Sequence, residues 1–232
     1  ASIGRLAAGV AHEIGNPITG IACLAQNVRD ETQNDEIRNM ARQIIEQTDR
    51  TSRIVQSLVN FAHSGSHNKS DQRKERVSIS DCIDEAITLV SLNKKGKYMN
   101  FDVRCDEPAF ILGDSQQLLQ VLVNLINNAR DASPEQSTIS VNCERIAASV
   151  QISVSDEGTG IPDSIKDRIF EPFFTTKEPG EGTGLGLSLV YSLVENLGGH
   201  IDIMNASART DNPGAKVILS FPCYDAQHAP NS

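Results

Sequence analysis

Gly4-Arg5-Leu6-Ala7-Ala8-Gly9-Val10-Ala11-His12-Glu13-Ile14-Gly15-Asn16-Pro17 is the stretch around which the chain is organised. Ile3, Ala7, Val10, Ile14, Pro17, Ile21, Leu24 and Val28 recur in alternating steps of four and three, the spacing of a heptad seam. Val10 then occupies d and His12 occupies f, the position furthest from the seam. A titratable imidazole is thereby expected on the outer face of a rigid helix, with Asn16 one turn further along that face. An imidazole of ordinary pKa, about 6.5, is mostly neutral at pH 7 and keeps a nucleophilic lone pair. Glu13 is placed to orient the ring or to take up a proton.

Two helix defects lie within a turn of His12. Pro17 has no N–H for the carbonyl of Glu13 and its ring crowds that carbonyl. Gly15 is a poor helix residue, worth about 1 kcal/mol against Ala. A bend is expected there. A solvated face carrying an ordinary His-Glu pair is the plain alternative. The zinc-protease pattern H-E-x-x-H fails, because its fifth position is Asn16.

Beyond Val28 comes the polar stretch Asp30-Glu31-Thr32-Gln33-Asn34-Asp35, in which Asn34 or Asp35 can cap a second helix. Its seam is Ile37, Met40, Ile44, Gln47, Thr51, Ile54, Leu58 and Phe61, widened by Ile45, Val55, Val59 and Ala62. Two amphipathic helices and a short loop make an antiparallel hairpin. A lone hairpin cannot cover that much apolar surface, so a homodimer forming a four-helix bundle is expected from residues 1–66. Residues 64–75 contain no apolar side chain, and 67–75 are expected to be a linker.

From residue 76 to 223 short strands alternate with helices. Strands are expected at Val77–Ile79, Phe101–Val103, Phe110–Leu112, Thr138–Cys143, Val150–Ser155, Ile201–Met204 and Val217–Phe221. Helices are expected at Asp81–Leu92, opened by Ser80, from Asp114, with Gln117 completing a capping box, and at Leu185–Leu197, ended by Gly198-Gly199. The fold class is therefore an α-helical hairpin followed by an α+β layer of helices on one mixed sheet. A polar tail, 224–232, follows.

Composition sets the outer limits. The 232 residues are 39% hydrophobic and carry a formal charge of −9, which argues against nucleic acid or an acidic membrane surface as the main partner. Cys23, Cys82, Cys105, Cys143 and Cys223 are scattered and form no C-x-x-C pair, as expected of reduced thiols in a cytoplasmic protein. No apolar run approaches the roughly 20 residues that span a bilayer, so no membrane contact is expected within this stretch. The chain opens in mid-helix, as a fragment of a longer protein would, and an upstream anchor or sensor is compatible with that.

Three clusters in the second part carry chemistry. In Gln120 to Ala132, Leu118, Leu122, Leu125 and Ala129 form a buried stripe, while Asn124, Asn128 and Asp131 form a second stripe of amide and carboxylate oxygens. Hard oxygens suit Mg²⁺, which keeps several waters and takes its other ligands from phosphate. Asp156-Glu157-Gly158-Thr159-Gly160-Ile161-Pro162 follows a strand; its glycines allow close approach, and its carboxylate can accept a hydrogen bond from an exocyclic amine such as adenine's. Gly180-Glu181-Gly182-Thr183-Gly184-Leu185-Gly186-Leu187 runs into a helix and offers backbone N–H groups and a positive dipole end to phosphate. It is neither the dinucleotide fingerprint nor the P-loop. Between these lies Phe170-Glu171-Pro172-Phe173-Phe174-Thr175-Thr176-Lys177, a glycine-flanked aromatic segment with the makings of a lid.

With these motifs in this order, the chain resembles the sensor histidine kinases of two-component signalling over nearly its whole length. Ala11-His12-Glu13-Ile14-x-Asn16-Pro17 resembles their phosphoacceptor motif. Asn124 to Asn128 resembles the N box, Asp156-x-Gly158-x-Gly160 the G1 box, Phe170 to Phe174 the F box, and Gly182 to Leu187 the G2 box. The resemblance implies a dimerising phosphotransfer hairpin and a Bergerat-type (GHKL) ATPase fold. It implies ATP and Mg²⁺ as cofactors, the ion held by Asn128 with help from Asn124, and Asp156 reading the adenine. Autophosphorylation on His12 would precede transfer to an aspartate in the receiver domain of a response regulator. Asn16 would hold the phosphoryl group, Lys177 would contact the nucleotide from the lid, and Gly182, Thr183, Gly184, Leu185 and Gly186 would line the phosphates. Glu13 and Asn16 also resemble the pair that positions water in the phosphatase reaction of this family, and the forward and reverse roles of Asn16 both stay open.

Two positions depart from the family pattern. Gly15 replaces a bulkier polar residue, and Gly214-Ala215 stands where Gly-Thr is common, so a nucleotide contact from that Thr is expected to be missing. The rivals weighed are an ATP-hydrolysing machine of the same nucleotide fold, which would need a water-activating Glu where Asn124 stands, and a scaffold that binds ATP without turnover.

Overall fold

The computed structural model describes residues 2–64, 74–92, 98–105, 107–178, 182–207 and 213–224. The side chains of residues 2–13, 53, 56–58 and 60–64 lie outside that description, and with them the seam positions Ile3, Ala7, Val10, Leu58 and Phe61. Most of the expected linker and nearly all of the expected tail also lie outside it. Two compact units are present: residues 1–70 with 171–186, and residues 71–170 with 187–232.

In the first unit, α1 (Ser2–Glu31) and α2 (Asp35–Ser64) form the hairpin. α1 passes through Gly15 and Pro17 without interruption, and the Thr19 hydroxyl donates to the Gly15 carbonyl at 2.8 Å. Asn34 is the cap of α2, its Oδ1 accepting from the N–H of Glu36 at 2.8 Å and of Ile37 at 3.3 Å. The Arg38 guanidinium donates to the Thr32 carbonyl at 2.8 Å and ties the loop to the helix.

The expected seams are displaced by one residue. Among the described side chains of the hairpin, Ile18 and Ala25 in α1 and Ala41 and Thr48 in α2 are buried, with Ala22, Ile45 and Val55 half-buried beside them. Ile14, Ile21, Leu24, Val28, Ile37, Met40, Ile44 and Ile54 are exposed, Leu24 at 67%. One residue is about 100° of helix rotation. The helices therefore meet along a stripe of smaller side chains, which permits close approach, and the larger apolar stripe faces away from the hairpin's own interface.

The second unit holds β1 (Glu75–Ser78), α3 (Ile79–Ser91), β2 (Asn100–Cys105), β3 (Phe110–Gly113), α4 (Ser115–Ala132), β4 (Thr138–Ile146), β5 (Ser149–Ser155), α5 (Gly186–Asn196), β6 (His200–Asn205) and β7 (Ala215–Pro222). Five strands form one sheet in the order β2-β4-β5-β7-β6, mixed because β2 runs parallel to β4 while the other pairs are antiparallel. β1 and β3 form a separate antiparallel pair rather than part of the one sheet expected from the sequence.

Alternation along β4 and β5 turns Ile139, Val141, Cys143, Val150, Ile152 and Val154 toward the helices, where they meet Ile83, Leu118, Leu122, Leu125, Ile126, Val190 and Val194. Complete burial of one such aliphatic side chain stabilises the fold by roughly 1.5–3 kcal/mol. All five cysteines are free thiols, and burial pushes Cys82 up to about 11 and Cys143 to about 12.

The start of α3 and the capping box of α4 differ from expectation. α3 begins two residues early, because Ser78 rather than Ser80 is its cap, accepting from the Asp81 N–H at 3.4 Å. Asp114 caps α4 as expected, accepting from Gln116 at 2.9 Å and Gln117 at 3.3 Å. The reciprocal half of the capping box is not made. Gln117 turns into the core and its Oε1 is buried with no partner among the described residues.

Candidate active site

The turn after β5 is built from its own carboxylate. Asp156 Oδ1 accepts from the Gly158 N–H at 2.8 Å and from the Ala215 N–H at 3.0 Å. The backbone of Asp156 also donates to the Ala215 carbonyl at 2.9 Å, and Gly214 donates to the Gly158 carbonyl at 3.0 Å. The turn is thus laced to the start of β7. With both amides converging on Oδ1, Oδ2 has no donor among the described residues and keeps its lone pairs for a ligand. Burial pushes the Asp156 carboxyl above its ordinary value of 3.8, and the two amides oppose that rise.

Position 215 accounts for one departure from the family pattern. Ala215 reaches Asp156 through its backbone N–H, so this contact needs no hydroxyl. On its other side the turn packs on the end of α4. A Cβ at Gly158 would lie 2.6 Å from the Ala132 carbonyl oxygen, so only glycine allows that approach. Glu157 closes the turn against β4, its carboxylate accepting from the Thr138 N–H at 3.1 Å.

α4 brings its polar stripe to the same end of the unit. Leu118, Leu122, Leu125 and Ala129 are buried, Asn124 and Asn128 are half-buried, and Asp131 is exposed. The Asn124 Nδ2 donates to the Gln120 carbonyl of its own helix at 2.8 Å, which turns Oδ1 away as a free acceptor. No group of three or more His, Cys, Asp or Glu among the described residues could hold a metal ion by itself. Amide oxygens on α4 fit an ion that brings further ligands with it, in water and phosphate.

The segment 173–186, in the other unit, is clasped at two levels. The Phe173 N–H donates to the Gly184 carbonyl at 2.9 Å, with both residues in left-handed backbone, φ +69° and +65°. One step in, the Lys177 N–H donates to the Thr175 Oγ1 at 3.2 Å, and the Lys177 side chain packs across Gly182. The Leu185 N–H donates to the Thr183 Oγ1 at 3.4 Å just ahead of α5, and Leu185 is buried. Gly186 is the first residue of α5. On α1, Asn16 is exposed, whereas the side chains of His12 and Glu13 lie outside the described residues.

Asn205 is not marked by any local pattern in the sequence; it serves the Asp156 turn from 44 positions away. Gly214-Ala215 is marked as a glycine box, but its backbone contacts to Asp156 and Gly158 are not legible there.

Comparison with known proteins accords with this arrangement. Residues 2–67 match the His Kinase A (phospho-acceptor) domain, and residues 113–225 match the histidine kinase-, DNA gyrase B-, and HSP90-like ATPase family. Sensor histidine kinase ZraS of Escherichia coli (strain K12) is 35% identical over 224 residues, 95% of this chain and 46% of that protein. Sporulation kinase A of Bacillus subtilis (strain 168) is 34% identical over 94% of this chain and 34% of that protein. This chain therefore spans about half or less of these curated relatives. Among solved structures, full-length ShkA in complex with AMPPNP superposes with a TM-score of 0.73 at 25% identity, covering 96% of this chain and 46% of that one. The catalytic domain of histidine kinase ThkA gives 0.55 at 32% identity, covering 64% of this chain and 95% of that domain. The second unit carries an ATP-binding domain, and the chain as a whole belongs to the sensor histidine kinases of two-component systems.

Proposed function

We propose that this chain is the catalytic core of an autokinase that moves the γ-phosphoryl group of ATP first to His12 and then to an aspartate on a response regulator. What carries the reading is the union on one chain of a phosphoacceptor hairpin and an ATP-binding domain whose Asp156 turn is preorganised. A solved complex of ThkA with the response regulator TrrA, 27% identical to this chain with a TM-score of 0.65, supports the choice of partner.

Asp156 accepts the adenine amine on Oδ2, while Oδ1 stays committed to the backbone. Asn128 and Asn124 would supply amide oxygens to Mg²⁺, and Asp131 lies at the rim of that stripe. When bound, the ion would supply charge neutralisation for the phosphates. Gly182, Thr183, Gly184, Leu185 and Gly186 offer amides near the start of α5, and Lys177 offers a cation from the lid.

At the acceptor, a neutral ring nitrogen of His12 attacks the γ-phosphorus and the bond to the ADP oxygen breaks. Glu13 orients the ring through its other nitrogen and takes up the proton that the phosphorylated ring sheds. Phosphoryl transfer asks for positioning and charge neutralisation more than covalent chemistry, which suits so small a set of groups. Asn16 steadies the phosphoryl group and, in the reverse sense, holds water for hydrolysis of the regulator's acyl phosphate.

The exposed stripe of Ile14, Ile21, Leu24, Val28, Ile37, Met40 and Ile44 supports a homodimer through the hairpin. No helix among the described residues is long and apolar enough to cross a membrane, and we place this part of the protein in the cytoplasm, where ATP is available.

A hydrolytic machine of the same fold is disfavoured, since the Asn124 amide cannot act as a general base at pH 7. The test is incubation with γ-labelled ATP and Mg²⁺. Label that is acid-labile and alkali-stable supports the autokinase. Label released only as free phosphate, with none on the protein, supports the hydrolytic alternative.

A further inference from the structure

We infer that Asn205 is a positioning residue for the nucleotide turn, its side-chain amide holding the half of the turn that the backbone ladder leaves loose. This deepens the reading above and rests on Asp156 as the adenine acceptor. The tethers of Asp156 and Gly158 to Gly214 and Ala215 all enter the first half of the turn. Its second half, Gly160-Ile161, is held from β6, where Asn205 Oδ1 accepts from the Ile161 N–H at 2.9 Å across 44 positions of sequence. The next residue, Pro162, has no N–H to offer, so the Ile161 amide is the donor available at that bend.

Asn205 is itself fixed. Its backbone pairs in register with Ala215, and the following N–H, of Ala206, donates to the Gly214 carbonyl at 3.0 Å. The same oxygen stands 2.9 Å from where a Cβ on Gly160 would be, so Asn205 also forms a wall of the turn. Removing this acceptor strands a part-buried N–H and frees Gly160-Ile161 to drift, which moves the Asp156 carboxylate relative to the base. Lost alignment at the base weakens ATP binding; the phosphoryl step uses groups on α1, α4 and the lid and keeps its rate.

The experiment measures KM for ATP and kcat of autophosphorylation in the parent, Asn205→Ala, Asn205→Asp and Asp156→Asn, with thermal melts of each. Loss of one such hydrogen bond and of the order it imposes predicts a KM raised about fivefold to tenfold in Asn205→Ala, with kcat within about twofold. Asn205→Asp keeps an acceptor oxygen at the same reach and restores KM to within about threefold. A lower melting temperature with unchanged KM makes Asn205 merely structural and overturns the inference, as does a fall in kcat at unchanged KM. If Asn205→Ala does not fold, Asn205→Ser, whose hydroxyl falls short of Ile161, carries the same expectation. Asp156→Asn separates the two layers. A raised KM there with an unaltered KM in Asn205→Ala sinks only the Asn205 assignment, whereas a parental KM in Asp156→Asn sinks the adenine reading and this inference with it.

Discussion

Phe173 donates its backbone N–H to the Gly184 carbonyl at 2.9 Å, and both residues are in left-handed backbone. Glycine takes that conformation freely, while for an L-residue it costs roughly 1–2 kcal/mol. Phe173 therefore holds a strained conformation, and its side chain is exposed.

Gly184→Ala should break this clasp, because the added Cβ would overlap the Phe173 backbone and would itself be forced left-handed. We expect at least a tenfold loss of autophosphorylation with helix content and melting temperature near parental. The check is labelled-ATP incorporation beside circular dichroism. Parental activity would show that the clasp is incidental.

Asp156→Asn keeps an oxygen for the Gly158 and Ala215 amides but turns an NH₂ toward the adenine amine, donor against donor. ATP should bind at least tenfold more weakly by titration calorimetry, on an intact fold. The pH dependence has a definite sign. Since burial raises the folded carboxyl above 3.8, ATP affinity in the parent should fall, as pH is lowered, earlier than an ordinary carboxylate would allow. The folded state also holds this proton more tightly than the unfolded chain, so stability from this group is present below 3.8 and is lost as pH rises from there through the folded value. Asp156→Asn does not titrate and should lack that decline, which melts across the acid range would reveal.

Leu24→Lys should leave the hairpin folded, because Leu24 contributes little to its buried stripe, and should cut dimer formation through the exposed one. Light scattering at micromolar concentration gives the mass directly. A parent that is already monomeric would refute the dimer, and a Leu24→Lys dimer would move the interface elsewhere.

How far the sequence reaches can be judged from particular residues. The period of the hairpin is plain in the sequence, yet two apolar stripes one residue apart share it, and period alone does not say which one the partner helix covers. Side-chain size does: Ala25 and Ala41 sit at the close approach, and the larger Leu24 and Met40 are turned out. Ser80 is the cap expected from the sequence, but the β1–β3 pairing ends the strand at Ser78, which takes that place. The Asp156 turn was legible because its glycines and carboxylate are contiguous. Asn205, and the backbone contact that Ala215 makes to Asp156, were not, since they are set by strand register, which brings distant residues together.

Asn16→Ala should slow dephosphorylation of the phosphorylated regulator several-fold, with ATP or ADP present, while His12 still accepts phosphate. An Asn can donate to and accept from one water at once, as that reaction requires. A mutant that loses autophosphorylation but keeps the full phosphatase rate would assign Asn16 to the forward step alone.

Labelling of His12→Gln with γ-labelled ATP tests the central claim most directly. The substitution keeps a polar side chain at position 12 and should leave ATP binding unchanged. The account predicts that the acid-labile, alkali-stable label on the parent disappears in this variant. Label persisting on His12→Gln, carried by His63, His67, His200 or His228, would contradict it.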